Sequence, residues 1–400
     1  MKNDYAYIVA GGGAAGLSLV YRLLGAGITD RPILLVDRER KTTNDRTWSF
    51  WEAGTGTFEA QLYDQWDHLW FHSPTHSQCL DIAPFRYKTL RGIDFYRTTN
   101  ARIDAATNVT RVYGEVERLE NTPNGVALWL EGTAYTGDFA FSSIPAAPLD
   151  RTRPNYLDQH FKGWVIATER PVFDPERATL MDFRLPQCGE TRFVYVLPYS
   201  PTRAMIEFTI FGKQLLPDAE YDQHLRHYID RFITTGGYTV QHEEFGIIPM
   251  TDQPLPTREG RIHYLGTAGG NVKTSTGYAF QRIQAVTTAF TRRILHTGSP
   301  EGTHLPGEAR YRLFDSTLLN VLVNRRLDAD ALFTDLFKNN PPERLLRFLG
   351  EESTLLDELS VMASVPTLPF LRAFMAECRA RWLPPSSPAA SLLATGNRET

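Results

Sequence analysis

Cysteine is scarce in this 400-residue chain: Cys79, Cys188 and Cys378 are odd in number, far apart and without any Cys-x-x-Cys pair. That argues against a disulfide framework and against a cysteine zinc site, and it makes a reducing cytoplasm the default compartment. A strong charge of either sign is missing too. Lys+Arg 42 against Asp+Glu 46 leave a formal charge of −4, so no global basic field attracts nucleic acid. The scattered Arg292-Arg293 and Arg325-Arg326 pairs fit solvated helix surface, or a face turned to anionic lipid. No stretch approaches the ~20 uninterrupted apolar residues that cross a bilayer, which leaves peripheral attachment open. The short run Tyr5-Ala-Tyr-Ile-Val-Ala10 leads into glycines rather than a cleavage site, so it reads as a strand and not as a signal peptide. His68, His72 and His76 recur every four residues, but Pro74 would interrupt a helix aligning them and no carboxylate completes the set. No metal is expected, and no internal repeat occurs.

What is present begins with that strand. It runs directly into Gly11-Gly-Gly13-Ala14-Ala15-Gly16, a G-x-G-x-x-G. The first glycine permits the tight turn, the second lets backbone approach a pyrophosphate, and the third allows a helix to pack closely on the strand. The helix dipole then faces the phosphates. Leu17 to Leu24 supply the helix, Gly25-Ala-Gly27 its stop, and Pro32-Ile-Leu-Leu-Val36 a second strand closing on Asp37, 21 residues beyond Gly16. A carboxylate there accepts the adenosine ribose hydroxyls and repels a 2′-phosphate, so FAD or NAD fits better than NADP. The order of strand, glycines, helix, strand and acid carries the inference.

A second segment near residue 265 repeats the theme. Ile262-His-Tyr-Leu-Gly266-Thr-Ala-Gly269-Gly270 reads as a strand entering a glycine cluster, and Thr276-Gly277 precede a helix with apolar Ala279, Ile283, Val286, Phe290 and Ile294. The glutathione-reductase-like flavoproteins have a late strand-turn-helix that this resembles, and the likeness selects FAD over NAD. Their usual Gly-Asp pair reads Gly266-Thr267 here.

Between the two halves, Gly114–Leu119, Val126–Leu130 and Asp138–Ser142 alternate as antiparallel strands, with Asn124-Gly125 as a turn. Arg192-Phe-Val-Tyr-Val-Leu197 and Ala204-Met-Ile-Glu-Phe-Thr-Ile-Phe211, joined by Pro198-Tyr-Ser-Pro201, read as a substrate-side hairpin. The expected architecture is α/β: a Rossmann-type FAD-binding domain (1–75, 100–150 and 255–297), an inserted antiparallel sheet for substrate (76–99 and 151–254), C-terminal helices (298–383) and a disordered tail (384–400).

Several of these pieces together resemble the lycopene cyclases of carotenoid biosynthesis. They are the glycine turn, Asn44-Asp-Arg46-Thr-Trp48-Ser-Phe50, Arg192 through Pro198, Ile206-Glu-Phe-Thr209, Gly266 through Ser275-Thr-Gly-Tyr278, and Asn340-Pro-Pro-Glu-Arg-Leu-Leu-Arg347. Where that family commonly has two adjacent acids this chain has Glu207-Phe208, and Thr274 stands where a proline often precedes the Thr-Gly-Tyr. The resemblance implies an isomerisation with no net oxidation. A proton adds to a terminal double bond of lycopene, a neighbouring double bond captures the cation, and a proton leaves the new ring. It implies Glu207 as the acid and reduced FAD as the cation stabiliser, with NAD(P)H as a transient reductant because only one dinucleotide fingerprint exists. Gly11, Gly13, Ala14, Ala15, Gly16, Asp37, Arg38, Arg46, Trp48, Gly266, Gly269, Gly270, Thr276 and Gly277 are the expected cofactor contacts. Tyr195 and Phe208 are expected in the substrate cavity, and these two with Trp48 are candidates for cation–π help.

The residues themselves support the acid. Met205, Thr209 and Phe211 share the face of Glu207, Ile206, Phe208 and Ile210 occupy the other, and burial between such faces disfavours the carboxylate. A glutamate paired with a buried arginine, or pointing into a wet cleft, is the competing reading of that residue. A long hydrocarbon substrate resides in the bilayer, so a cytoplasmic enzyme must rest against it peripherally; Val365 to Met375 is a candidate contact, or ordinary domain packing. Two other classes stay open on the residues: a monooxygenase or halogenase of the same fold using flavin and oxygen, and a non-catalytic FAD-fold protein that escorts hydrophobic partners.

Overall fold

The computed structural model describes residues 4–305 and 308–382, and the tail expected at 384–400 lies outside the described residues. β1 (Tyr5–Ala10) and α1 (Ala14–Gly25) meet at the glycine turn, and β2 (Ile33–Asp37) returns parallel to β1. A Cβ on Gly16 would stand 2.0 Å from the Gly11 carbonyl oxygen, so only a hydrogen there lets helix lie on strand. Ile8 to Ala10 and Ile33 to Val36 are buried, as strands of a parallel sheet covered on both faces must be.

β3 (Thr47–Ala53), β4 (Asp64–Trp66), β5 (His68–His72), β6 (Ser77–Asp81) and β7 (Phe85–Arg91) follow. β3, β7 and β4 make a small antiparallel sheet, while β5 and β6 pair with each other as the edge of a larger one. The boundary expected at residue 75 therefore falls inside the β5–β6 hairpin. α2 (Gly92–Asp104) buries Phe95, Tyr96 and Ile103 in the same core as α1, so the second half of 76–99 packs with the nucleotide fold and not with the inserted sheet.

β8 (Val109–Tyr113) adds a parallel edge beside β2. It has no sequence signal of its own, because an edge strand is only half-buried and lacks the continuous apolar run. β9 (Val116–Thr122), β10 (Gly125–Leu130) and β11 (Thr133–Ser142) form the expected meander, turning at Pro123-Asn124, one residue earlier than Asn124-Gly125. β11 then lies parallel to β1 on its other side.

β12 (Tyr156–Thr168), β13 (Arg177–Asp182), β14 (Thr191–Ser200), β15 (Arg203–Gly212), α3 (Asp218–Phe232) and β16 (Tyr238–Thr251) build the inserted sheet, in the order β16-β12-β15-β14-β13-β5-β6. β14 and β15 are the expected hairpin. α3 covers one face, packing Tyr221, Leu225 and Ile229 against Ile206, Phe208 and Ile210. β17 (Arg258–Glu259) and β18 (Ile262–Tyr264) rejoin the first sheet, where β18 runs parallel to β11. α4 (Phe280–Thr297) follows with Ile283, Val286, Phe290 and Ile294 buried, as their spacing predicts. α5 (Glu308–Val323), α6 (Ala329–Asn339), α7 (Pro342–Leu349), α8 (Leu355–Ala363) and α9 (Thr367–Trp382) complete the helical end. Phe333 and Phe337 of α6 stack on Phe183 and Phe71, closing the inserted sheet's second face at that end. The chain thus adopts the expected α/β class, with C-terminal helices and an inserted sheet that is antiparallel except where β13 runs parallel to β5.

Candidate active site

A cleft of about 510 Å³ lies between the start of α1 and the open part of the inserted sheet. Its nucleotide side is backbone. Gly13, Ala14 and Ala15 line it, and a Cβ on Gly13 would meet nothing within 4 Å, so the unpaired N–H groups of the first helical turn face open space. Gly11 holds φ +106°, a conformation only glycine adopts without strain. Asp37 ends β2 beside the turn, near enough that a Cβ on Gly12 would come 2.6 Å from its Oδ2.

Gly266, Thr276 and Gly277 bring the second glycine segment to the same cleft. Two buried polar atoms there, Thr276 Oγ1 and Gln159 Oε1, have no hydrogen-bond partner in the protein. Such orphaned atoms, with the open helix start and Asp37, fit a large polar dinucleotide cofactor lying along the cleft. Gly269 and Gly270 serve the turn instead: a Cβ on Gly269 would lie 2.2 Å from the Tyr264 carbonyl oxygen, and Gly270 holds φ +69°. Arg46 and Trp48 line the cleft, Trp48 resting 5.4 Å from the Phe280 ring. Arg38 has an exposed side chain, and only its backbone N–H engages the site, donating to Asp37 Oδ1 at 2.8 Å.

On the sheet side, register sets the chemistry. Tyr195 of β14 lies opposite Glu207 of β15, Glu207 opposite Gly163 of β12, and Gly163 opposite Glu244 of β16. Residues directly opposite one another project from the same face, so Tyr195, Glu207 and Glu244 all line the cleft. Glu207 keeps one hydrogen bond, from Thr209 Oγ1 at 3.0 Å, and no basic side chain pairs with it. Burial, and secondarily the negative Glu244, push its carboxyl up to about 8, so it is protonated at neutral pH. The exposure it retains faces the cleft.

Three tyrosines surround that carboxyl. Burial drives Tyr87, Tyr195 and Tyr278 above the ordinary phenol range, and the Tyr87 and Tyr278 hydroxyls stand 3.5 Å apart. They present neutral π-rich rings. Phe208 is a correction. Expected in the substrate cavity, it points to the opposite face of β15, against Tyr221 and His224, because side chains alternate along a strand.

Glu244, Tyr87, Tyr278 and Gln159 had no individual signal. Glu244 follows Gln241-His-Glu, which reads as a solvated strand; only the pairing across Gly163 brings it into the cleft. Among the described residues no three His, Cys, Asp or Glu could hold a metal, and His68 and His72 sit on strand β5, where His72 Nδ1 meets Ser77 Oγ at 2.9 Å. Among those residues no helix is long and apolar enough to cross a membrane.

With this geometry in place, the likenesses to known proteins agree. The family model described as lycopene cyclase protein matches residues 7–375. A lycopene beta-cyclase from Pantoea ananas is 24% identical over 397 residues, covering 94% of this chain and 98% of that protein. Among solved structures, a geranylgeranyl bacteriochlorophyll reductase-like protein from Thermoplasma acidophilum superposes with a TM-score of 0.58 at 11% identity, over 94% of this chain and 96% of that one. A flavin-dependent halogenase from Xanthomonas campestris gives 0.57 at 11% identity, over 95% of each chain. At such identities these two speak to the fold alone.

Proposed function

This chain belongs to the lycopene cyclase family, and from that premise we propose that it binds FAD and converts the linear ends of lycopene to β-ionone rings, with Glu207 as the acid. The observation that carries the reading is a carboxyl held neutral on the wall of a cleft that also opens onto the glycine turn of α1. Glu207 donates its proton to the terminal double bond, the neighbouring double bond closes the ring, and a proton leaves. No redox change results.

Gly13, Ala14 and Ala15 would hold the pyrophosphate, on a turn that Gly11 and Gly16 make possible, Asp37 would hold the ribose, and Gly266, Thr276 and Gly277 the far half of the cofactor. Bound there in its reduced form, FAD would supply negative charge beside the developing cation, with NAD(P)H needed only as its reductant. Tyr87, Tyr195 and Tyr278 add π faces and exclude the water that would trap the cation. Trp48 closes the apolar wall next to Phe280.

Anaerobic incubation of the protein with lycopene, FAD and NAD(P)H, followed by chromatography of the pigments, tests the assignment. A cyclic product without oxygen or stoichiometric NAD(P)H consumption is expected. Unchanged lycopene, or a product that forms only with oxygen, overturns it in favour of a redox flavoenzyme.

A bilayer-resident substrate requires the protein to rest on the membrane, and α8 and α9 supply the surface. Their polarity is inverted: Asp357 and Glu358 are buried in ion pairs with Arg347 and Arg310, while Leu355, Leu356 and Leu359 are 65%, 76% and 64% exposed. Leu368, Leu371 and Met375 continue the apolar stripe at helical spacing on α9, with Arg372 and Arg379 exposed nearby. Leu356→Glu combined with Leu359→Glu is expected to abolish co-sedimentation with anionic vesicles yet leave turnover of detergent-dispersed lycopene intact. Undiminished vesicle binding would remove these helices as the contact.

A further inference from the structure

We propose that Glu244 is the second acid–base residue of this cleft, taking the proton released when the ring is completed while Glu207 supplies the proton that starts the reaction. The proposal rests on the cyclase reading above and assigns its unassigned half. The family resemblance leads one to look for a partner acid next to Glu207 in sequence, but Phe208 occupies that position and faces α3. The partner is instead two strands away.

Gly163 is what couples the pair. β12 separates β15 from β16, and at neighbouring-strand spacings of roughly 4.8 Å the two glutamate backbones lie about 10 Å apart. The residue between them has no side chain; a Cβ there would stand 3.1 Å from Met205 Cε and 3.5 Å from both Cβ and Cγ of Glu207. Register puts both carboxyls on one face of the sheet, where both line the cleft. Acid and base so separated leave room for the reacting carbons between them, the logic that paired carboxylates follow in glycoside hydrolysis.

Their hydrogen bonds divide the labour. Glu244 Oε1 accepts from Thr47 Oγ1 and, at 3.3 Å, from Asn44 Nδ2, and His242 Nε2 stands 3.6 Å away. Glu207 has only the Thr209 hydroxyl. Burial raises both groups, but donors aimed at Glu244 offset part of that, which favours the charge on Glu244 and the proton on Glu207. Other titratable groups facing the pair are Asp45 and Arg46 before β3, Tyr199 of β14, and Tyr87, Tyr195 and Tyr278 about Glu207.

The electrons balance without an outside reagent. The π pair of the terminal double bond takes the Glu207 proton, forming a C–H bond and leaving a carboxylate. The next π pair forms the ring C–C bond. The electrons of a ring C–H bond then become the ring double bond as its proton passes to the Glu244 carboxylate. Between turnovers, once product has left, Glu244 gives that proton to solvent and the Glu207 carboxylate regains one, restoring the starting state.

Glu244→Gln keeps the shape and removes the base. We expect it to retain FAD, judged by the bound flavin's absorbance, and to lose roughly a hundredfold or more in kcat. Its residual product should carry the ring double bond at a different position or a captured water, because the cation must discharge elsewhere. Its pH–rate limb from Glu207 should also move to lower pH, since the neighbouring charge is gone. Wild-type rate, product and limb in this variant overturn the proposal. If the variant does not bind flavin, Gly163→Ala decides: its backbone conformation suits alanine, and a methyl pressed between Met205 Cε and Glu207 should disturb the spacing of the two carboxyls and lower kcat about tenfold or more with KM little changed. Unaltered kcat in that variant overturns the proposal as well. A wild-type protein that does not cyclise lycopene at all sinks the cyclase reading itself, a distinct outcome.

Discussion

Glu207→Gln is expected to purify with its flavin and to lose cyclisation by roughly a thousandfold, read as cyclic pigment formed under anaerobic conditions. The amide preserves volume and can still accept from Thr209, so the strand and the cleft wall should stand. What it cannot do is release a proton to a carbon–carbon double bond. No other acid faces the cleft in neutral form at that position, since Glu244 is two strands away and surrounded by donors. The pH dependence has a definite sign. The active form is protonated, so turnover should be level at neutral pH and fall about tenfold per unit above the Glu207 midpoint at about 8. Because the folded state raises this group, its favourable contribution to stability is complete below the ordinary carboxylate range and is lost as pH climbs through about 8.

Gly16→Val should yield protein without flavin, affinity falling beyond the reach of spectroscopic titration. The added Cβ would stand 2.0 Å from the Gly11 carbonyl oxygen and 3.1 Å from Val9 Cγ1, and the first of these is backbone that cannot swing aside. The start of α1 must lift from β1, and with it the N–H groups of Ala14 and Ala15, which line the cleft. Gly13→Ala is the informative comparison. Its Cβ meets nothing within 4 Å of protein, so the fold should persist while flavin binding weakens, because the methyl enters the side the phosphates approach. Equal flavin content in Gly16→Val and the wild type would contradict the assignment of this turn.

Both predictions begin from features that the residue order exposes. The glycine turn needs only local chemistry, and the alternation Met205-Ile206-Glu207-Phe208 needs only the two-residue period of a strand, so β1, α1, β2 and the face of Glu207 follow from sequence. The same period was enough to send Phe208 to the other face, although its aromatic ring made it a candidate for the cavity. Glu244 is different. Nothing local distinguishes it from a solvated glutamate; its place depends on which residue of β12 it faces, and register between β12 and β16 is fixed by long-range packing. α3 stayed hidden because its first turn, Asp218-Ala-Glu-Tyr, is mostly polar, and its Tyr221, Leu225, Tyr228 and Ile229 stripe has meaning only against the sheet it covers. The exposed leucines of α8 invert the usual rule, and only the fold shows that its acids are buried while its leucines are exposed.

Infrared difference spectroscopy of the wild type against Glu207→Gln, followed across pH, observes the decisive group itself. A protonated carboxylic-acid carbonyl band that persists at neutral pH and disappears around pH 8 is the expected result. A side chain already ionised in mildly acidic buffer would leave no proton to begin the cyclisation.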